Sequence, residues 1–267
     1  MDDKEFSVIN EYIEKKLGLK VVDTNINSLK RFLNERIKSI GIDLKRYIEL
    51  LEKKEEELHL LINKITIGET YFFREEKYFR FLDEVVFTNM RQMHIIPKIW
   101  SAASSIGAEP ISISLLAEKY WNNKIEKVKI LATDVDLIAL RNILENKFSK
   151  RLLKEDGKNF HYLIEKYSKS DNEYLIFDSK IIEKIEILRF NLVLDDYNKI
   201  ENDFDIVFLC NILTYMDDDK KKLIVKNVVS RMKNGGILIM SSTDTAFIDN
   251  ENLELKLYKN AFYFVKR

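Results

Sequence analysis

The chain has 267 residues, 46% of them apolar and 33% charged, with seven glycines and two prolines, which excludes a disordered or a collagen-like polymer. Forty-four basic residues balance 44 acidic ones, so no whole-chain field draws the protein to nucleic acid or to an anionic membrane. The opening MDDKEFSVIN has neither the basic nor the apolar region of a signal peptide, and no apolar run approaches the roughly 20 residues of a membrane helix. A cytoplasmic location is expected. Cys210 is the sole cysteine, which excludes an internal disulfide and a multi-cysteine zinc site. His59, His94 and His161 lie far apart without metal-ligand spacing, and no metal is expected.

From Glu5 to about Glu84 the pattern is helical. Leu29, Phe32, Leu33, Arg36 and Ile37 fall at helical spacing, as do Tyr47, Ile48, Leu51 and Leu58. Gly41 followed by Asp43, a plausible N-cap, separates two helices. Residues 1–88 are therefore expected to form an N-terminal helical domain. Beyond it, Ile95–Trp100, Val128–Ala132, Ile185–Phe190, Asp205–Cys210 and Gly236–Met240 read as strands. Pro110–Tyr120, Leu137–Lys147 and Asp218–Met232 read as helices between them. This alternation implies an α/β domain over 89–267 with a doubly wound, mostly parallel sheet. Leu257–Lys266 reads as an antiparallel hairpin arm with Lys259-Asn260 near its turn. The stretch 148–184 is too long for a simple crossover, and a small β subdomain is expected at about 165–187.

Ligands of such sheets bind beyond the carboxyl ends of the strands. The first strand leads into Trp100-Ser101-Ala102-Ala103-Ser104-Ser105-Ile106-Gly107-Ala108-Glu109-Pro110, whose small residues let backbone approach a ligand. It is not GxGxxG, and no P-loop occurs. Asp134, 27 residues after Gly107, is spaced to accept both hydroxyls of an adenosine ribose or simply to cap the next helix. No His–Asp or Ser–His pairing is visible near these segments.

Read together, five stretches resemble the CheR family, the chemotaxis receptor methyltransferases. Ile65-Thr66-Ile67-Gly68-Glu69-Thr70-Tyr71-Phe72-Phe73-Arg74-Glu75 is similar to the family's Thr-x-Asn-x-Thr-x-Phe-Phe-Arg. Trp100–Pro110 resembles Trp-Ser-Ala-Ala-x-Ser-x-Gly-Glu-Glu-Pro, and Ala132–Asp136 resembles Ala-Ser/Thr-Asp-Ile-Asp. Phe190-Asn191-Leu192 and Phe208–Met216 are similar to Phe-x-x-x-Asn-Leu and Phe-Cys-Arg-Asn-Val-x-x-Tyr-Phe. The chain departs from the pattern at Gly68, at Ala108, at Cys210, where the family has a cation, and at Ser242-Thr243-Asp244.

The resemblance implies a class I methyltransferase-like fold and an S-adenosylmethionine (AdoMet) enzyme, with S-adenosylhomocysteine (AdoHcy) as product, that converts receptor glutamates to methyl esters. It implies cofactor contacts from Thr70, Arg74, Glu109, Asp134, Asn191, Leu192 and Asn211, with Gly68, Ala102, Gly107 and Cys210 at the same motifs. Arg74 and Tyr215 would act at the reacting methyl. The implied partner is the cytoplasmic helical bundle of methyl-accepting chemotaxis receptors. It would be met by a basic face formed by Lys30, Arg31, Arg36, Lys38, Lys45 and Arg46, with no nucleic acid, no membrane insertion and a monomeric enzyme. A same-fold methyltransferase with another substrate, or a non-catalytic AdoMet- or AdoHcy-binding module, is the alternative reading.

Overall fold

The computed structural model describes residues 1–66, 69–122, 128–245 and 250–267. Four helices open the chain: α1 (Asp3–Leu17), α2 (Ile26–Ile40), α3 (Leu44–Lys53) and α4 (Glu55–Ile65). Asp2 starts α1 with a capping box, its carboxylate accepting from the Glu5 amide while the Glu5 carboxylate accepts from the Asp2 amide. Asp43 caps α3 through the Arg46 amide at 2.8 Å, as its sequence context predicts. A continuous helical stretch follows, formed by α5 (Glu76–Phe81), a π-helical segment Leu82–Phe87 and α6 (Thr88–Gln92).

The main sheet is built from β1 (Lys98–Ala102), β2 (Lys129–Asp134), β6 (Ile185–Arg189), β7 (Phe204–Leu209), β8 (Met232–Met240), β9 (Leu253–Tyr258) and β10 (Ala261–Lys266). Its order is β6-β2-β1-β7-β8-β10-β9. Pairing is parallel from β6 through β8, and β10 and β9 close the edge antiparallel. The doubly wound, mostly parallel sheet and its terminal hairpin are thus as expected. The covering helices include α7 (Ala108–Trp121), α8 (Leu137–Glu145) and α11 (Asp218–Ser230). A second sheet, β3-β5-β4, comprises β3 (Phe148–Ser149), β4 (Ser168–Asp171) and β5 (Tyr174–Phe177). Short helices α9 (His161–Tyr167) and α10 (Ser179–Ile182) accompany it, and α12 (Ser242–Thr245) follows β8.

Strand alternation sends residues to two cores. On one face Ile99, Ile206, Phe208 and Ile239 pack with α7, α8 and the small sheet. On the other, Trp100, Val207, Leu209 and Leu238 pack with α11 and α1–α4. Three bounds differ from those expected. The boundary after residue 88 falls inside the α5–α6 stretch, and Phe72, Phe73, Phe79, Phe81 and Phe87 share the α7-side core, so this stretch belongs to the sheet layer. β1 begins at Lys98 because Pro97 has no N–H for the ladder. The small sheet begins at Phe148, before the expected 165–187 segment.

Candidate active site

A cavity of about 280 Å³ opens at the carboxyl ends of β1, β2, β6 and β7, where the strand order reverses between β1 and β7. After β1 the chain turns through Ala103 (φ 68°) and Ser105 (φ 51°), a left-handed backbone uncommon for residues with a Cβ. Hydrogen bonds hold it there: the Ser104 amide donates to the Thr133 carbonyl at 2.8 Å, and the Ser105 amide to Asp134 Oδ2 at 2.8 Å. Gly107 (φ 95°) then starts α7, where an added Cβ would lie 2.2 Å from Ile143 Cγ1.

Asp134 projects from the end of β2, and its Oδ1 also accepts from the Asp136 amide at 2.9 Å. Burial raises its pKa to about 6, against the pull of the Asp136 and Ser105 amides. Glu109, in the first turn of α7, accepts from Ser101 Oγ at 2.6 Å. Burial raises it to about 7, opposed by the Ser101 hydroxyl and the Arg74 charge. Burial, reinforced by Glu109 and Glu75, also lifts the Cys210 thiol well above its ordinary value, so Cys210 stays a protonated wall residue. Arg74 donates to the Glu69 carbonyl and lies over the Tyr71 ring, 5.6 Å from its centre.

Thr70, Arg74, Glu109, Asp134, Asn191, Leu192, Cys210, Asn211 and Tyr215, singled out from five separate stretches, all line this cavity. Ala102 and Gly107 do not. Ala102 is buried in the core, Gly107 packs on Ile143, and Ala103–Ser105 take the lining position between them. Gly68 lies outside the described residues. Asn191 lines the cavity with a committed side chain: its amide donates to the Leu17 carbonyl at 2.9 Å, and its oxygen accepts from the Val193 amide at 2.9 Å. The segment after α1 is a wall that sequence reasoning missed, since Leu17 and Leu19 line the cavity and the Lys20 amide donates to the Tyr215 carbonyl at 2.8 Å. No local signal marks these residues. Glu75 and Asp136, which also line it, are the last residues of two motifs already quoted.

Two further expectations are overturned. A His–Asp pair does stand beside the motifs: His59 Nδ1 donates to Asp136 Oδ2 at 2.5 Å, because packing of α4 on α8 joins residues 77 apart. Its partner Asp136 also caps α8 through the Ile138 and Ala139 amides, so the pair joins the two helices. Arg36 is a strut within the helical region, its Nε donating to the buried Glu57 at 3.0 Å, whereas Arg31, Lys38, Lys45 and Arg46 are exposed. Among the described residues, no group of three or more His, Cys, Asp or Glu is arranged to hold a metal ion, and no helix is long and apolar enough to cross a membrane.

The donor set fits S-adenosylmethionine. Asp134 suits a ribose diol, Glu109 an ammonium group and Arg74 a carboxylate, while Ile62, Val135, Ala139 and Leu192 give the apolar walls that adenine requires. The family described as CheR methyltransferase, SAM binding domain, matches residues 68–261. A chemotaxis protein methyltransferase of Borreliella burgdorferi is 28% identical over 86% of this chain and 85% of its own length. Chemotaxis protein methyltransferase 2 of Vibrio cholerae is 27% identical over 99% and 93%. The Escherichia coli chemotaxis protein methyltransferase is 25% identical over 91% and 85%. With the matched segment spanning most of the chain and carrying the strand-end cavity, the chain belongs to the CheR methyltransferase family.

Proposed function

We propose that the protein transfers a methyl group from S-adenosylmethionine to glutamate side chains of chemotaxis receptors in the cytoplasm, giving glutamyl methyl esters. The observation that carries this reading is the meeting of Arg74 and Tyr215 with Asp134 and Glu109 in one cavity, in a chain of this family. When bound, the cofactor supplies a methyl group on a positively charged sulfonium. A glutamate acceptor has a reference pKa of about 4.3 and is already ionised at neutral pH, so the chain need not remove a proton from it. Its task is to align the carboxylate and strip water from it.

Arg74 is suited to orient a carboxylate through its planar fork. Tyr215, in the turn after β7, lines the same cavity and presents a ring wall with a hydroxyl at its edge. Asp134, at the end of β2, holds the ribose, and Glu109, in the first turn of α7, holds the ammonium group. The exposed Arg31, Lys38, Lys45 and Arg46 offer positive charge to an acidic helical bundle. The direct test is incubation with tritiated S-adenosylmethionine and receptor-rich membranes, followed by alkaline treatment. Volatile tritiated methanol is expected. Cofactor binding without release from any receptor preparation would instead favour a non-catalytic module, with Cys210 and Ala108 as the departures to examine.

A further inference from the structure

We propose that Asp156 is a positioning residue for Arg74, acting on the reacting end of the cavity from the insertion that carries the small sheet. This rests on the role given to Arg74 above. The segment bearing Arg74 is folded against its own preferences: Phe73 (φ 57°) and Glu75 (φ 54°), on either side of it, both have left-handed backbone. Bulky residues stay there only when their surroundings hold them.

Asp156 supplies much of that hold. Its Oδ2 accepts from the Glu75 amide at 2.7 Å and from the Tyr71 hydroxyl at 2.9 Å, and its Oδ1 accepts from the Glu76 amide at 3.1 Å. One carboxylate thereby fixes the amide that follows Arg74 and the ring over which the Arg74 guanidinium lies. The next residue, Gly157 (φ 96°), permits the approach, since an added Cβ would lie 2.8 Å from the Phe72 carbonyl oxygen and 2.9 Å from Phe73 Cβ. The Phe72 amide also donates to the Leu152 carbonyl at 3.1 Å. The Phe72 ring meets Phe148 and Phe177 of the small sheet edge-on, with centres 5.7 and 5.3 Å apart. Asp156 does not line the cavity, so it acts through Arg74 and Tyr71 rather than on a ligand.

The test is a double-mutant cycle on the full chain, read twice: as AdoHcy affinity by calorimetry and as receptor methyl ester formed at saturating AdoMet. Asp156→Ala is expected to lower turnover about tenfold and to weaken AdoHcy severalfold, with Asp156→Asn as the milder variant should the first not fold. In an Arg74→Lys background the same change is expected to cost less than about twofold in both readings, because the group being positioned is already altered. Equal losses in both backgrounds, or no loss from either Asp156 variant, would overturn the proposal. If no receptor is methylated by the wild type, the proposed reaction fails while the AdoHcy cycle still decides the role of Asp156.

Discussion

The two ends of the cavity are built differently. At the end proposed for the ribose, the Asp134 carboxylate accepts from the backbone amides of Ser105, in the loop after the neighbouring β1, and of Asp136, two residues on. At the end proposed for the reaction, Arg74 stands on a left-handed turn clamped by Asp156, and the Tyr215 carbonyl accepts from the Lys20 amide. In the proposed reaction, cofactor binding draws on contiguous motifs, whereas reactivity is assembled from segments distant in the chain. Substitutions at the first end should change affinity, and those at the second should change mainly turnover, with a smaller loss of affinity where Arg74 is involved.

The largest effect is expected where the ribose end depends on a missing side chain. Gly107→Val combines a left-handed backbone with a clash on Ile143, and should destabilise the fold by about 3 kcal/mol or more. Thermal unfolding should show a fall of roughly 6–12 °C. Asp134→Ala should weaken AdoHcy by about 1–3 kcal/mol in calorimetry, since it removes a charged acceptor and frees the Ser105 amide. Unchanged affinity would move the ribose contact elsewhere. At the other end, Arg74→Lys should lower turnover at saturating AdoMet by about ten- to a hundredfold, or roughly 1.4–2.7 kcal/mol. Tyr215→Phe should fall at the lower limit of that range and leave AdoHcy affinity unchanged. A Tyr215→Phe defect confined to affinity would erase the contrast between the ends.

Smaller effects sharpen it. The Glu109 carboxyl has a folded pKa of about 7 against an ordinary 4.5, so the fold favours its protonated form. Its stabilising contribution is complete below about pH 4.5 and is lost as pH rises through about 7. An ammonium-bearing ligand needs the ionised form, so the thermal shift given by AdoHcy should grow between pH 6 and pH 8. Glu109→Gln should flatten that dependence. The smallest effect concerns docking: Arg31→Glu should slow receptor methylation by up to about fivefold without changing AdoHcy affinity. The slowing should fade with salt, because exposed charges are screened over about 8–10 Å at physiological ionic strength. Arg36 is a poor probe of the same face, since reversing it would set a second carboxylate beside the buried Glu57.

The same division explains what could be read from sequence. The parallel sheet, its hairpin arm and the strand-end cavity follow from periodicity and from short contiguous motifs, each written within about ten residues. Ala102 and Gly107 were assigned to the ligand because their motif faces it, yet only the turn between them reaches the cavity. The hold of Asp156 on the Arg74 segment, the His59–Asp136 pair and the bond from Asn191 to Leu17 join residues 77 to 174 apart. No local pattern encodes contacts of that kind.

The bond between Asn191 and the end of α1 bears on how this protein could be divided. Leu17 and Leu19 form part of the cavity wall, and the Lys20 amide holds the turn carrying Tyr215. Gly18 lets the chain pass so near Val193 that an added Cβ would lie 2.7 Å from Val193 Cβ. Cutting the chain between its helical and sheet portions would therefore unwall the pocket rather than detach a module. For anyone grafting the helical region onto another catalytic unit, the transferable piece must include the loop after β6 and the turn after β7. The functional seam of this molecule runs through its cavity.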